Sequence, residues 1–172
     1  MKIRQLKPPD SHHLSAAEGW LELGNHLEAD AELDCITPKL RIHPDVLRLR
    51  WEIYAKAKKW EACVDLAETL VSIVPERLEG WIQRSFALHE IRRTQEAFDK
   101  LLPIVKRFPE EWLVPYNLAC YCAQLDRLEE CKTWFKKAMV IDDKAVQKKA
   151  IDDPDLKPLW VSMSGPMWKK DE

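Results

Sequence analysis

Pro75 and Pro109 lie 34 residues apart, each closing an apolar stretch with helical spacing. Stepping that interval outward divides residues 10–145 into 10–43, 44–77, 78–111 and 112–145 without a gap. A period of this length constrains the fold more than any other feature of the chain. Each repeat is one supersecondary element that buries its apolar face only by stacking on the next.

Residue size recurs in phase with the period. The twentieth place of the repeat holds Ala29, Cys63, Ala97 and Cys131, all small. Four places on stand Leu33, Ala67, Leu101 and Phe135, and three further Ile36, Leu70, Ile104 and Ala138, an i, i+4, i+7 stripe on one helical face. An earlier helix carries Trp20, Tyr54, Leu88 and Cys122, with Ala17, Trp51, Ser85 and Ala119 three residues before them. Small residues let the two helices of a hairpin cross closely, and large ones fill the space between hairpins. The class expected is all-α. Four glycines and eleven prolines suit helices with sharp stops better than a multi-stranded sheet.

Repeat length, the small and large places and the prolines at Pro75 and Pro109 resemble the tetratricopeptide repeat family, as does the run Tyr116-Asn117-Leu118-Ala119-Cys120. The resemblance implies a right-handed α-α superhelix, or solenoid, of four helix hairpins. The first repeat is the least regular: Arg41 replaces the proline, and Pro38 is expected to stop its second helix near Thr37, leaving 39–43 as a looser link. The fourth has Asp143 at that place, and only Gly24 supplies a glycine to the turns within hairpins. Residues 146–163, with Ala150, Ile151, Leu156, Leu159 and Trp160, read as a C-terminal cap in which Asp153 precedes Pro154 as a helix start. Residues 1–9 and 164–172 read as flexible ends.

A chain with 46% hydrophobic and 33% charged residues is expected to bury one core. With 27 basic and 29 acidic side chains and a net charge of -2, it has no field of one sign to attract nucleic acid or an anionic membrane. No stretch has the length of a signal peptide's apolar run or of a membrane span. Five irregularly spaced cysteines point to reduced thiols and, with the preceding features, to a soluble cytoplasmic protein.

Catalytic and metal motifs are not found. His12, His13, His26, His43 and His89 make no i, i+3 or i, i+4 pair, and no phosphate loop or nucleophile elbow is present. Cys120 and Cys122, two apart on a helix, point to different faces, while Cys122 and Cys131 occupy packing places. The chain reads as a non-enzyme with no cofactor and no metal. Of the eight tryptophans, Trp20, Trp51, Trp60 and Trp81 read as filler between helices, and Trp112 and Trp168 as the most exposed.

In tetratricopeptide arrays the first helices line a concave groove, so the resemblance implies that their solvent-facing places bind a peptide. The first two repeats place Leu14, Glu18, Leu21, Glu22, Arg48, Leu49, Glu52 and Lys56 there, a mixed and charged set. The last two place Glu79, Ile82, Gln83, Phe86, His89, Glu90, Leu113, Tyr116, Asn117, Cys120 and Gln124, an apolar strip edged by amides and acids, with Phe86 and Tyr116 as anchors. Two other arrangements compete: residues 146–163 folding back over the strip, or its side chains packing between helices. Members of the family that hold chaperone C-terminal carboxylates use a clamp of lysine, arginine and asparagine. Only Arg48 and Asn117 match it singly, and Leu14, Glu18, Glu52 and Phe86 stand against it. The function expected is therefore a scaffold or adaptor for a protein or peptide partner, as a monomer or weak homo-oligomer. The alternative is a structural or self-associating assembly subunit, including a small secretion-type chaperone.

Overall fold

The computed structural model describes residues 5–165. They form an all-α chain in which helices follow one another as hairpins: α1 (Asp10–Glu22) and α2 (His26–Cys35), α3 (Pro44–Lys56) and α4 (Trp60–Ile73), α5 (Leu78–Glu90) and α6 (Thr94–Leu101), α7 (Leu113–Gln124) and α8 (Leu128–Ile141). Two shorter helices, α9 (Asp143–Ala150) and α10 (Lys157–Ser162), end the described chain. Among these residues no helix is long and apolar enough to cross a membrane.

The described residues divide into two compact units, with the boundary between Ala87 and Leu88. In the first, α1 packs on α2 and α3 on α4. Its core gathers Ala17, Ala29, Leu33, Ile36, Val46, Leu49 and Ile53, with Leu6 added from the N-terminal segment. Leu6 thus anchors a segment read from sequence as loose; residues 1–4 lie outside the described residues. In the second, α7 packs against α8 and α6, and α10 lies on both α7 and α8. The twentieth-place residues Ala29, Cys63, Ala97 and Cys131 are all fully buried.

One backbone device recurs at the period of the sequence. Gly24, Lys58, Arg92 and Asp126, each 34 residues after the last, adopt left-handed φ values of 80°, 55°, 66° and 60°. Each terminates the first helix of a hairpin. The N–H of the following residue returns to the carbonyl five positions back, Asn25 to Trp20, Lys59 to Tyr54, Arg93 to Leu88 and Arg127 to Cys122, all at 2.9 Å. The left-handed residue itself donates three positions back, Gly24 to Leu21, Lys58 to Ala55, Arg92 to His89 and Asp126 to Ala123. This Schellman pattern satisfies carbonyls that a helix end would otherwise orphan and reverses the chain in three residues.

Close approach of helices explains a second glycine. A Cβ on Gly80 of α5 would stand 3.1 Å from a methyl of Val71 and 3.2 Å from Leu70 Cγ of α4. The prolines act as helix punctuation. Pro38 opens a 3-10 turn (Pro38–Leu40) after α2 ends at Cys35, and Pro103 cuts α6 at Leu101, so that Ile104 packs from a 3-10 turn (Leu102–Lys106), not from the longer helix its stripe predicts. The open end of the first hairpin is tied by Asp10, whose carboxylate accepts the Thr37 N–H at 2.6 Å and the Thr37 hydroxyl at 3.2 Å. The Thr37 N–H chiefly, and against the effect of burial, holds that carboxyl below its usual range.

Two packing expectations are corrected. Trp20 is 37% exposed, and Ile151 is 64% exposed while its neighbours Ala150, Leu156 and Leu159 are buried. Trp20 faces outward because Ala17, Leu14 and Leu21 already fill the inner side of α1. Trp168 lies outside the described residues.

The left-handed turns generate a direct test. A side chain at positive φ costs about 1–2 kcal/mol relative to glycine, part of which glycine returns in unfolded-chain entropy. Lys58→Gly and Arg92→Gly are each expected to stabilise the chain by about 0.5–1 kcal/mol in denaturant unfolding, and Gly24→Ala to destabilise it by about 1 kcal/mol.

Candidate functional site

The residues assigned to the strip separate into two environments. In the first unit, Arg48 and Glu52 are one turn apart on α3, and Arg48 joins Glu52 at 2.7 Å and Glu18 of α1 at 2.9 Å. These side chains are about one-third to two-fifths exposed, so the network contributes little stability and serves as a charged rim. Leu14, Leu21 and Leu49 do not line this face. Leu49 is buried in the first core and Leu14 and Leu21 are half-buried against it, which corrects their sequence assignment as open groove positions.

On α5, Ile82 and Gln83 are half-buried and Phe86 is 37% exposed. The Phe86 ring rests edge-on against Trp60 at 5.7 Å and Trp51 at 6.3 Å, and the two indoles are 6.5 Å apart. Such tilted aromatic contacts fix the ring's position while leaving part of it in solvent. Trp51 of this cluster and Gln83, three residues before Phe86 on α5, each carry a buried polar atom, Nε1 and Oε1, that finds no hydrogen-bond partner among the described residues. A buried unpaired donor or acceptor costs about 1–3 kcal/mol and draws attention to what would pair it.

In the second unit the picture reverses. Tyr116, Asn117, Cys120 and His89 are buried, Leu113 is half-buried, and Glu90 and Gln124 are exposed. The cover is the 3-10 turn Pro154–Leu156 and the residue before it. Tyr116 donates its phenol proton to Asp153 Oδ2 at 2.6 Å, and the Cys120 thiol lies 3.8 Å from the same oxygen. The other Asp153 oxygen accepts the Asp155 N–H at 3.0 Å, the capping role read from sequence. Gln124 Nε2 donates to the Asp155 carbonyl at 2.8 Å, and His89 Nε2 stands 3.3 Å from the Asp155 carboxylate. Lys149 places its ammonium 5.6 Å from the Tyr116 ring centre, and Leu156 is fully buried.

Tyr116 is therefore not an open anchor. Its face of α7, continued one turn on by Cys120 and a further turn by Gln124, is occupied by the chain's own C-terminal segment. A phenol buried this deeply needs an acceptor, and Asp153 supplies it. Burial first, then Cys120 and Asp153, hold the phenol protonated far above its ordinary range. Burial, then the Asp153 and Asp155 charges, likewise raise the Cys120 thiol, and burial lifts Cys63 to about 11 and Cys122 and Cys131 to about 12. The second unit also carries a shallow apolar depression of about 390 Å³ lined by Val105, Phe108, Pro109, Pro115, Lys136, Lys137, Val140 and Ile141.

Sequence reasoning did not find Asp153 and Asp155 as the groups that close α7; the signal was the pair of acids in Asp153-Pro154-Asp155-Leu156. It also treated Trp51 and Trp60 as filler, where they form the bed of Phe86.

Comparisons place this geometry among known folds. No protein-family model and no curated protein matches the sequence. Solved structures do. A thermophilic TPR protein of Thermus thermophilus, TTC0263, aligns over 90% of this chain and 82% of its own with a TM-score of 0.71 at 17% identity. MamA residues 41 to the end from Desulfovibrio magneticus RS-1 aligns over 93% and 96% with a TM-score of 0.71 at 15% identity. A tetratricopeptide repeat protein from Parabacteroides merdae aligns over 90% and 60% with a TM-score of 0.72 at 14% identity. These likenesses show the tetratricopeptide repeat fold.

The distribution of thiols is open to measurement. Cys35 is exposed and the other four cysteines are buried with depressed acidity where a shift is resolved. A thiol-disulfide indicator is expected to titrate one fast thiol in the native chain, lost in Cys35→Ser, and five after unfolding.

Proposed function

We propose that this chain is a non-catalytic protein-interaction scaffold that seats an extended segment of a partner protein on the α3–α5 face of its first compact unit. The observation that carries the proposal is Phe86, a large aromatic residue left 37% exposed against Trp51, whose indole N–H is unpaired, and three residues after Gln83, whose amide oxygen is unpaired. An extended peptide offers the complement of that pair. One backbone N–H suits the amide oxygen, one carbonyl suits the indole, and an apolar side chain packs on the Phe86 ring. Pairing them requires side-chain adjustment, since both atoms are buried in the free chain. Glu18, Arg48 and Glu52 give the face a polar rim.

The tetratricopeptide fold of the structural neighbours supports the scaffold reading in general. His89, Tyr116, Asn117 and Cys120 belong to the same proposal only for a partner that displaces Asp153–Leu156 from α7. A cytoplasmic location is part of it too, supported by five free thiols.

A displayed library of extended peptides supplies the probe. Phe86→Asp is expected to weaken the selected peptide by about 30-fold or more, the factor that corresponds to losing about 2 kcal/mol at an interface anchor. Helicity should be unchanged, and Tyr116→Phe should bind like the parent. Equal affinity in Phe86→Asp removes this face from the account.

A further inference from the structure

The open end of the first hairpin brings together three side chains of metal-ligand type from two helices. His13 Nδ1, Glu32 Oε2 and Cys35 Sγ all lie within 4.8 Å of one another. We propose that they bind one borderline divalent cation, Zn²⁺ foremost, and that the ion clips the first turn of α1 to the last turn of α2.

The placement follows from the hairpin. Glu32 and Cys35 are three residues apart near the end of α2, close enough to share one side of it. The antiparallel return of the chain sets the first turn of α1 beside them, and His13 already donates to Glu32 at 2.8 Å. Asp10 ties the same end of the hairpin through Thr37, so the backbone that carries the ligands is held independently of any ion.

Chemistry selects the ion. An imidazole nitrogen, a carboxylate oxygen and a thiolate suit Zn²⁺ and the similar Co²⁺, whereas Ca²⁺ and Mg²⁺ take oxygen donors. The carboxylate and thiolate together neutralise the dication. Ordinary Zn–ligand lengths require separations of about 3.4 Å between nitrogen and oxygen and about 3.6 Å between nitrogen and sulfur. The His13–Glu32 pair opens slightly, and Cys35 gives up its 3.5 Å contact to the Ala31 carbonyl to turn inward. His13 moves its proton to Nε2, the thiol proton goes to water, and Nδ1, the carboxylate and the thiolate each donate a lone pair. Three protein ligands leave a tetrahedral position for water, and His13 and Glu32, about 30% exposed, leave a path from solvent.

The simpler account is a surface histidine–carboxylate pair with an unconnected thiol nearby. The sulfur separates the two. Full-length protein is freed of metal with a chelator, kept reduced with a non-chelating reductant, and titrated with Co²⁺ and then Zn²⁺. One Co²⁺ per chain is expected, with a sulfur-to-cobalt charge-transfer band in the near ultraviolet that one equivalent of Zn²⁺ bleaches. Cys35→Ser is expected to abolish the band, and His13→Ala and Glu32→Gln each to weaken Zn²⁺ by at least about tenfold, outer-shell changes alone reaching that range. Circular dichroism checks each variant, with His13→Gln replacing His13→Ala if the latter loses helicity. Absence of the band, its persistence in Cys35→Ser, or equal Zn²⁺ affinity in the His13 and Glu32 variants overturns the site.

Discussion

The hairpins of this protein depend on one hydrogen-bonded turn. The end of a helix leaves carbonyls without intrahelical partners; the 6→1 bond closed by Asn25, Lys59, Arg93 and Arg127 pairs one of them and turns the chain at each first helix. Because the same turn recurs every 34 residues, it delivers Ala29, Cys63, Ala97 and Cys131 to equivalent buried positions four times. Small side chains there let α2 approach α1, α4 approach α3 and α8 approach α7, and apolar burial then stabilises each pair. The turn matters more than its residue type. Lysine, arginine and aspartate hold the conformation that glycine holds at Gly24, so packing overrides local preference.

What the sequence revealed follows from which features are local. Periodicity of size and apolarity is local, and it marked the buried stripe Leu33, Ala67, Leu101 and Phe135 correctly. The turn left no local mark at Lys58 and Arg92, because those residues do not favour positive φ, and only a weak one at Asp126, since aspartate visits that region more readily. The break at Pro103 was legible but outweighed by the apolar stripe that runs past it to Ile104. A cover over Tyr116 was legible only as one of the competing arrangements, residues 146–163 folding back over the strip, and the residues that make it were not legible. Asp153 meets Tyr116 across 37 positions, and no spacing rule connects a phenol with a carboxylate that far along the chain. His13, Glu32 and Cys35 escaped in the same way: a search for paired histidines on one helix does not see ligands shared between two.

The strip imagined from the resemblance thus becomes two surfaces with different chemistry. On α7 the chain satisfies its own polar groups, Tyr116 with Asp153 and Gln124 with Asp155, and buries Leu156. On α3 and α5 it leaves Phe86 partly in solvent and the Trp51 indole N–H and Gln83 amide oxygen without a hydrogen-bond partner among the described residues. Internal satisfaction reads as structure and incomplete satisfaction as a surface awaiting a partner, which is why the functional proposal rests on the first unit.

The recurring turn carries the fold, and amide hydrogen exchange reads it residue by residue. The account requires the N–H groups of Asn25, Lys59, Arg93 and Arg127 to exchange slowly in the native state, since each is held in the 2.9 Å bond that closes its hairpin. Slow exchange at all four is the predicted result. Protection at Asn25 with exchange at unfolded-chain rates at Lys59, Arg93 and Arg127 would contradict it, and would confine the turn to the one hairpin whose turn has a glycine.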